Sequence, residues 1–470
     1  MGDKMFKSNK RKLTTEEQQM QLLLSRRRFV RNTSLALATA GVAASTRINL
    51  VEELSRKLFP AAYANENDVK RMIYIGVRSG IPVIGMAVNG PFNNNQNLPI
   101  ITPNFPYAGN QVRNTGVNNL HLTPASDNHL RRHAENLAVT QGVRTEGGHT
   151  SLFNFWQGGF GQGRTSPIID LADRNTSQSM LPGVHFLSRN PGASRRVTHQ
   201  TNGKADLTTV HERNFVDNFR KPSLMLTEDE AQAVMGAAAR LSRRQALRMQ
   251  QIVDNPVNVA MSHFRGAEML NVDYSSALGI GDMGRITAGS GPHVRFGRGL
   301  AYTLKAMSLN LVNSATVELS VGDWHGLRNE EITRPYYESV AEKLGLAADY
   351  MKATPDPASP GKTLWETTVI AVGTEFTRRD RTFGEDNGDG GSQGILLLGD
   401  SVKGGYYGDI SYVPGSGRDT VLRFQGFDPA TGQAMSGLNT TSQLYHTINR
   451  IVDNPGVDSR QVWTSFINRS

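Results

Sequence analysis

The chain of 470 residues contains no cysteine. This excludes disulfide bonds, thiolate metal sites and cysteine nucleophiles, so any metal must be bound by histidine, carboxylate or neutral oxygen ligands. The sequence also has no apolar run of the about 20 residues that a membrane-spanning helix requires. We therefore predict no transmembrane span.

Outside the amino terminus, basic and acidic residues nearly balance. Of the net charge of +9, most lies in residues 1–64, which hold 12 basic and 5 acidic residues. The remaining chain is close to neutral, so it lacks the basic surface that nucleic-acid binding requires. We predict no nucleic-acid partner.

The amino-terminal segment has the pattern of an export signal. Paired arginines in "SRRRFVR" (Ser25–Arg31) precede a mildly apolar run without acids, residues 32–45. This order is typical of a twin-arginine signal peptide, which the translocase reads as an address. Cleavage is expected after Ala44 or Ala64. The sequence predicts a signal peptide over residues 1–64 and a periplasmic or secreted protein.

The rest of the chain alternates strands with long helices. Apolar, β-branched runs predict strands at 71–77, 137–143, 315–321, 367–373 and 395–400. Amphipathic patterns predict helices at 226–253, 297–314, 332–353 and 441–452. This alternation indicates an α/β fold, a three-layer sandwich around a large, mainly parallel sheet. We assign residues 65–470 to one domain, with an irregular insertion at about 144–225.

One candidate metal site follows the strand predicted at 315–321. Asp323 and His325 stand two positions apart in "VGDWHG", and in extended chain they would face the same side. A carboxylate and an imidazole are suitable ligands for zinc or manganese. A hydrogen-bonded surface pair is the competing interpretation.

Other candidates lie in loops after neighbouring strands. His149 follows the strand at 137–143, and Asp389 lies in the acidic, glycine-rich stretch "FGEDNGDGGSQG" (383–394). Arg378 and Arg379, between the strand at 367–373 and this stretch, could bind a phosphate or sulfate through bidentate hydrogen bonds. Ion pairing of these arginines to nearby acids is the alternative.

The order of these motifs resembles a known group of proteins. A twin-arginine leader is followed by "RSGIP", "LAVTQGV…GHT", "VGDWHG", "TEFTRR" and "LLLGDSVKGGYYGD". The sequence resembles the exported, sulfatase-like proteins of unknown function in the alkaline phosphatase superfamily. The resemblance spans about residues 70–460 and implies a large α/β sandwich.

The resemblance implies a two-metal centre that this chain only partly retains. Metal-bound relatives use an Asp after the first strand, an Asp and a His after a middle strand, and an adjacent Asp-His pair later. Asp323 and His325 match the middle pair. The first loop reads "RSGIPV" without a carboxylate, and Ser392 and Gln393 stand where the later pair is expected.

Three interpretations remain open on this basis. The first is a sulfatase-fold protein with a degenerate metal site and a non-catalytic role in binding or envelope assembly. The second is a hydrolase of phosphate or sulfate esters with one metal on Asp323 and His325, aided by His149 or Asp389. The third is a calcium-stabilised structural protein. At most one divalent cation, zinc, manganese or calcium, is expected, and an envelope protein is a possible partner.

Overall fold

The structure is a computed structural model. It describes residues 69–77, 85–90, 111–144, 166–174, 181–187, 207–211, 292–319, 330–374, 392–413, 421–454 and 456–468. All of them belong to one compact unit, Asp68–Ser470. The proposed boundary after residue 64 and the helix predicted at 226–253 lie outside the described residues.

A sheet of eight described strands forms the centre of the unit. In chain order these are β1 (Arg71–Val77), β5 (Leu137–Arg144), β6 (Leu181–Leu187), β7 (Thr208–His211), β8 (Val312–Leu319), β9 (Thr368–Thr374), β10 (Ser392–Leu398) and β11 (Gly405–Tyr407). Their spatial order is β11-β5-β10-β9-β1-β8-β6-β7. Two small antiparallel sheets are also described. One consists of β2 (Ala87–Val88), β3 (Arg113–Asn114) and β4 (His121–Leu122), and the other of β12 (Asp409–Val413) and β13 (Val421–Gln425).

The main sheet is parallel except at one strand. β1 pairs in parallel with both β8 and β9, and β6 pairs in parallel with β8 and β7. β10 runs antiparallel to its two neighbours, β9 and β5, and β11 is parallel to β5. Seven described strands therefore end at the same edge, where β10 begins. This confirms the predicted large, mainly parallel sheet.

Helices cover both faces of the sheet. The described helices are α1 (Pro124–Leu130), α2 (Pro167–Arg174), α3 (Pro292–Ser308), α4 (Glu330–Ala353), α5 (Leu364–Thr367) and α6 (Thr441–Ile451), with 3-10 helices at Arg131–Asn136, Ser459–Gln461 and Thr464–Phe466. α1, α3, α4 and α5 pack on one face, and α2 and α6 pack on the other. The predicted three-layer sandwich is thus confirmed.

The central strands read as continuous apolar runs because both of their faces are covered. All seven residues of β1 are buried, and so are all those of β9 and β10. Ile73 and Ile75 point into the core on the α3 and α4 side, while Met72 and Tyr74 point into the core on the α2 and α6 side. Because both faces are buried, these strands lack the alternation of apolar and polar residues that a strand with one exposed face shows, as is usual in parallel sheets.

The sequence suggested that the interval 144–225 is irregular, but its described parts contain regular structure. Its described parts contain α2, β6 and β7, and the two strands extend the main sheet beyond β8. β6 reads "LPGVHFL", and its proline, glycine and histidine hide the strand pattern. Gly183 allows close packing there, because a Cβ atom would lie 2.3 Å from a methyl group of Leu207 and 2.9 Å from the Cβ atom of Ala172. The strand was therefore not predicted from the sequence, because small and polar residues stand where a run of large apolar residues was expected.

The other predicted elements appear with small shifts in their ends. β8 begins at Val312 rather than at 315, because the polar residues Asn313 and Ser314 are buried inside the strand. α3 begins five residues before its predicted start. Within the described ranges, no helix has the length and apolar character needed to cross a bilayer.

Candidate functional site

The carboxyl ends of the parallel strands define the candidate site. Val77, the last residue of β1, is in register with Leu319 of β8 and Thr374 of β9. The hydroxyl of Thr374 accepts a hydrogen bond from the amide of Gly394 near the start of β10, at 3.1 Å. In open α/β sheets, ligands bind beyond the carboxyl ends of the strands. A binding or catalytic site is therefore expected at this edge.

All of the side chains predicted for the site lie outside the described residues. In sequence, each of them follows a strand that ends at this edge or precedes β10, which begins there. They are Asp323 and His325 after β8, His149 after β5, Arg378 and Arg379 after β9, and Asp389 before β10. Their contacts and ligand roles therefore stay predictions.

Two residues that the resemblance singles out are described. Ser392 and Gln393 are the first residues of β10, and they are 1% and 2% exposed. They pair with Arg144 and Val143 of β5 in antiparallel register. Both side chains are neutral, so this position contributes a hydroxyl and an amide where an Asp-His pair is expected.

Ser392 does not lie in a nucleophile elbow. Residues 390–394, "GGSQG", formally fit the Gly-x-Ser-x-Gly pattern. That pattern activates serine on a sharp turn between a strand and a helix, whereas Ser392 begins a buried strand. Its hydroxyl has no hydrogen-bond partner in the part of the chain that the structure describes.

A β-bulge in β5 lies opposite the start of β10. Gln393 is in register with Val143 and Ile395 with Thr140, so two residues of β5 face Gly394 alone. At the bulge, the carbonyl of Gly142 accepts a hydrogen bond from the amide of Asn439 at 2.8 Å. Bulges of this kind are common beside functional sites, where they redirect side chains.

The bulge allows β5 to bond to the segment that starts α6. The amide of Arg144 donates to the carbonyl of Asn439 at 2.8 Å. Asn439 is 1% exposed, and its side-chain amide exchanges two 2.8 Å hydrogen bonds with the backbone of Phe427. The end of β5 is therefore held by β10 on one side and by a fixed asparagine on the other.

A buried polar group lies on the sheet face that α2 and α6 cover. His185 of β6 is in register with Thr316 of β8, and Thr316 is in register with Tyr74 of β1. The Nδ1 atom of His185 and the hydroxyl of Thr316 share a hydrogen bond. Glu318 follows on the same face of β8, one residue before the strand ends.

This group was missed by the sequence analysis. His185 and Glu318 are only 2% and 5% exposed. An imidazole and a carboxylate on adjacent strands can bind a cation or transfer a proton. The available signal was the alternation of polar residues in "NSATVEL", where Ser314, Thr316 and Glu318 share one face.

The described residues do not form a complete metal centre. Among them, no cluster of three or more histidine and acidic side chains could hold a metal ion. A catalytic zinc takes three protein ligands, whereas Ser392 and Gln393 are neutral and Glu318 and His185 supply one carboxylate and one imidazole. The ligands that the sequence predicts, Asp323, His325, His149 and Asp389, lie outside these described residues, so the metal centre stays a prediction.

Two other described histidines are buried. His446 in α6 is 5% exposed, and its Nδ1 atom accepts a hydrogen bond from the amide of Asp458 at 3.1 Å. This agrees with a packing role for His446. His133 lies in the 3-10 helix before β5, away from the carboxyl edge.

Comparisons with known proteins found distant similarity to solved structures. No family model matches the chain, and no curated protein matches it. A solved protein of the alkaline phosphatase superfamily from Vibrio parahaemolyticus is similar over 84% of this chain and 69% of its own, with 8% identity and a TM-score of 0.34. A sulfatase from a Pseudoalteromonas species is similar over 90% and 74%, with 10% identity and a TM-score of 0.34. The fold class itself rests on the strand order and burial described above.

Proposed function

We propose that this protein is an exported, sulfatase-like member of the alkaline phosphatase superfamily whose metal site is degenerate. Its role is then non-catalytic, in ligand binding or in an envelope assembly. The observation that carries the proposal is the start of β10, where Ser392 and Gln393 are built into the sheet as buried, neutral residues.

The chemical argument concerns the charge that two divalent cations require. Carboxylates and imidazoles stabilise such ions and keep open positions for water and substrate. A neutral hydroxyl and amide do not supply that charge. The loop after β1 reads "RSGIPV" and also lacks a carboxylate. Losing these ligands removes the basis for two-metal hydrolysis of an ester.

Export is part of the proposal. The paired arginines at residues 26–28 direct the chain to the twin-arginine translocase, which carries folded proteins to the periplasm or beyond. The near-neutral charge of the remaining chain leaves electrostatic binding to nucleic acid without support. An envelope protein or a soluble ligand is the expected partner.

Metal analysis of the purified mature protein tests the proposal. We expect no stoichiometric zinc or manganese and no turnover of aryl phosphate or aryl sulfate esters. The matched variant is Asp323→Ala, which should leave the metal content unchanged. The native protein could instead contain stoichiometric metal and hydrolyse these esters, with both properties lost in Asp323→Ala. That result would show a one-metal hydrolase and disprove the proposal.

A calcium titration separates the remaining alternative. If the acidic stretch 383–394 is a structural calcium site, calcium raises the melting temperature, and Asp386→Ala combined with Asp389→Ala abolishes the rise. We expect no such shift. Magnesium at the same concentration controls for general effects of ionic strength.

A further inference from the structure

A buried lysine near the middle of α4 contacts a half-buried serine one helical turn earlier. The Nζ atom of Lys343 and the Oγ atom of Ser339 share a hydrogen bond of 2.7 Å. We propose that Ser339 is a nucleophile that Lys343 activates, and that it takes an acyl group from an activated carboxylic ester. This inference goes beyond the proposed binding function and uses none of the predicted metal ligands.

The position of Lys343 in the core is unusual for a lysine. The residue is only 1% exposed, whereas lysine is almost never fully buried unless it is paired with an acid. Within the described residues it forms no ion pair, and its hydrogen bond goes to the neutral hydroxyl of Ser339. An ammonium group that leaves water without a counter-charge is strongly destabilised. Folding therefore favours the neutral amine.

The electrostatic surroundings of the amine agree with this conclusion. Burial lowers the pKa of Lys343 from its usual 10.5. The adjacent residue Glu342 opposes this shift, and no charged side chain described in α1, α3 or α5 acts on the pKa. A lysine with a lowered pKa can serve as a general base, because the lone pair of the neutral amine accepts a proton.

Ser339 connects this buried amine to the surface of the helix. It is half-buried and follows Glu338, which is exposed. Residues 339 and 343 are neighbours on one face of α4, because they are four positions apart. A separation of 2.7 Å is within the range at which a nucleophile passes its proton to a base. A small ester can approach the hydroxyl from solvent while the amine stays protected from water.

The reaction that follows is the transfer of one acyl group. The Oγ atom of Ser339 bonds to the carbonyl carbon of the ester, the hydroxyl proton passes to the Nζ atom of Lys343, and the bond to the leaving alcohol breaks. The products are an acyl-serine, a lysine ammonium and the anion of the leaving alcohol. The backbone amides around Ser339 donate within the helix, so they do not stabilise the oxyanion of the intermediate. An ester with a good leaving group is therefore required, and acylation rather than rapid turnover is expected.

Mass-spectrometric peptide mapping of the full chain after incubation with p-nitrophenyl acetate tests the pair. We expect an acetyl ester on Ser339. Lys343→Met removes the base but keeps a long apolar side chain, and it should slow acetylation of Ser339 by at least about a hundredfold. A thermal melt of this variant shows whether it is folded. Acetyl on Lys343 without acetyl on Ser339 would reverse the assigned roles and overturn the proposal.

Ser308 is the matched control within the same chain. It is also half-buried and lies on a helix, α3, but its hydroxyl donates to the backbone carbonyl of Lys305 at 2.7 Å. A carbonyl oxygen does not accept the proton as a base, so we expect Ser308 to stay unmodified. Equal acetylation of Ser308 and Ser339 would show that exposure alone sets the reactivity.

The pH profile of the native protein gives a test that needs no variant. The rate of acetylation at Ser339 should rise with pH as Lys343 loses its proton and should level off below pH 10.5, because burial lowers the pKa of this lysine. A hydroxyl without a base reacts in proportion to hydroxide, about tenfold faster for each pH unit. A rate that continues to rise through pH 10.5 would contradict activation by Lys343.

The proposal fails if the native protein carries no acetyl group on Ser339, or if folded Lys343→Met reacts at the native rate. Neither result bears on the metal analysis, since Ser339 and Lys343 are not among the predicted metal ligands. Conversely, metal bound by Asp323 would refute the proposed function and leave the acylation of Ser339 as expected.

Discussion

At the scale of single residues, a buried ion pair lies at the amino-terminal edge of the sheet. The side chains of Arg71 and Asp356 form a salt bridge, and neither is exposed to solvent. Arg71 also donates to Asn310 at 3.0 Å, and Asp356 accepts hydrogen bonds from Thr367 at 2.6 Å and from the amide of Ala358 at 2.8 Å. The pair therefore fixes the connection before α5 against the first residue of β1.

We predict that Asp356→Ala lowers the free energy of unfolding by about 3–5 kcal/mol. Removing one partner leaves a buried guanidinium without a counter-charge, which is the costly case for buried pairs. The double variant Arg71→Met with Asp356→Leu should recover much of this loss, because it removes both charges and fills the volume. Urea denaturation measures the three values.

A surface pair supplies the control for this prediction. Arg131 and Asp127 form an i,i+4 pair in which the arginine side chain is 43% exposed. Such pairs contribute about 0.3–0.5 kcal/mol, so Asp127→Ala should have a small effect. Similar losses for Asp356→Ala and Asp127→Ala would show that burial does not set the cost.

At the scale of elements, a buried histidine joins the 3-10 helix before β5 to the end of α4. His133 Nδ1 lies 3.2 Å from Lys352 Nζ, and its Nε2 atom lies 3.3 Å from the carboxylate of Asp349. Its ring centroid lies 5.9 Å from that of Trp365, whose ring also contacts Lys352. Burial first, and then the charge of Lys352, lowers the pKa of His133 to about 4.

This lowered pKa predicts a pH-dependent stability. Unfolded histidine has a pKa of about 6.5, so between about pH 4 and 6.5 the unfolded chain binds a proton that the folded chain excludes. The free energy of unfolding should therefore fall as the pH decreases through this window, by roughly 2–3 kcal/mol for this residue. Asp349 and the backbone of Gly345 oppose the shift but do not reverse it, while Arg132 adds to it.

Urea denaturation at several pH values between 4 and 7 checks this prediction. His133→Asn should flatten the profile relative to the native protein, and His121→Asn, at a partly exposed position in β4, serves as the control. If both variants retain the native slope, the pH dependence arises elsewhere.

Helices and strands could be predicted where packing imposes a regular spacing of apolar residues on the sequence. β1 is observed with its predicted bounds, and α4 and α6 agree within about two residues, because their apolar residues recur at strand or helix spacing. β6 and β7 were missed, because small and polar residues are tolerated where neighbouring strands and α2 supply the packing. Local composition does not contain that information.

The candidate site was predictable only in its location. The sequence shows which loops follow strands, and topology then brings these loops to one edge. Ser392 was recognised as a departure from the expected ligand pair. Its pairing with Arg144 was not predictable, because register between strands separated by more than two hundred residues is set by the fold.

At the scale of the whole molecule, the carboxyl-terminal segment closes the core on the α2 and α6 side. Trp463 and Phe466 are fully buried. The ring of Phe466 stacks on Phe427 and contacts Tyr407, and Trp463 meets Phe427 edge-on. The segment is also bonded to β11, since the hydroxyl of Tyr407 donates to the carbonyl of Ser465 at 2.8 Å. In the loop before β11, the amide of Lys403 donates to the carbonyl of Phe466 at 2.8 Å. The end of the chain is therefore part of the hydrophobic core.

We predict opposite effects of truncation at the two ends. Deleting residues 457–470 should lower the melting temperature strongly and expose apolar surface that binds a hydrophobic dye, because large aromatic side chains leave the core. Deleting residues 1–64 should leave the melting temperature unchanged, as expected of a removable signal peptide. Thermal melts and dye binding compare both with the full chain, and a large loss after the amino-terminal deletion would contradict the signal assignment.

The sequence by itself determined the fold class, because long apolar strands alternating with amphipathic helices can bury their surfaces only in a layered α/β arrangement. It also excluded thiol chemistry and indicated an export leader through composition and local charge. Only the tertiary structure decided which side chains meet. It paired Arg144 of β5 with Ser392 of β10, and it joined His185 of β6 to Thr316 of β8 by a hydrogen bond. These contacts join distant segments, and their register depends on the packing of the entire sheet.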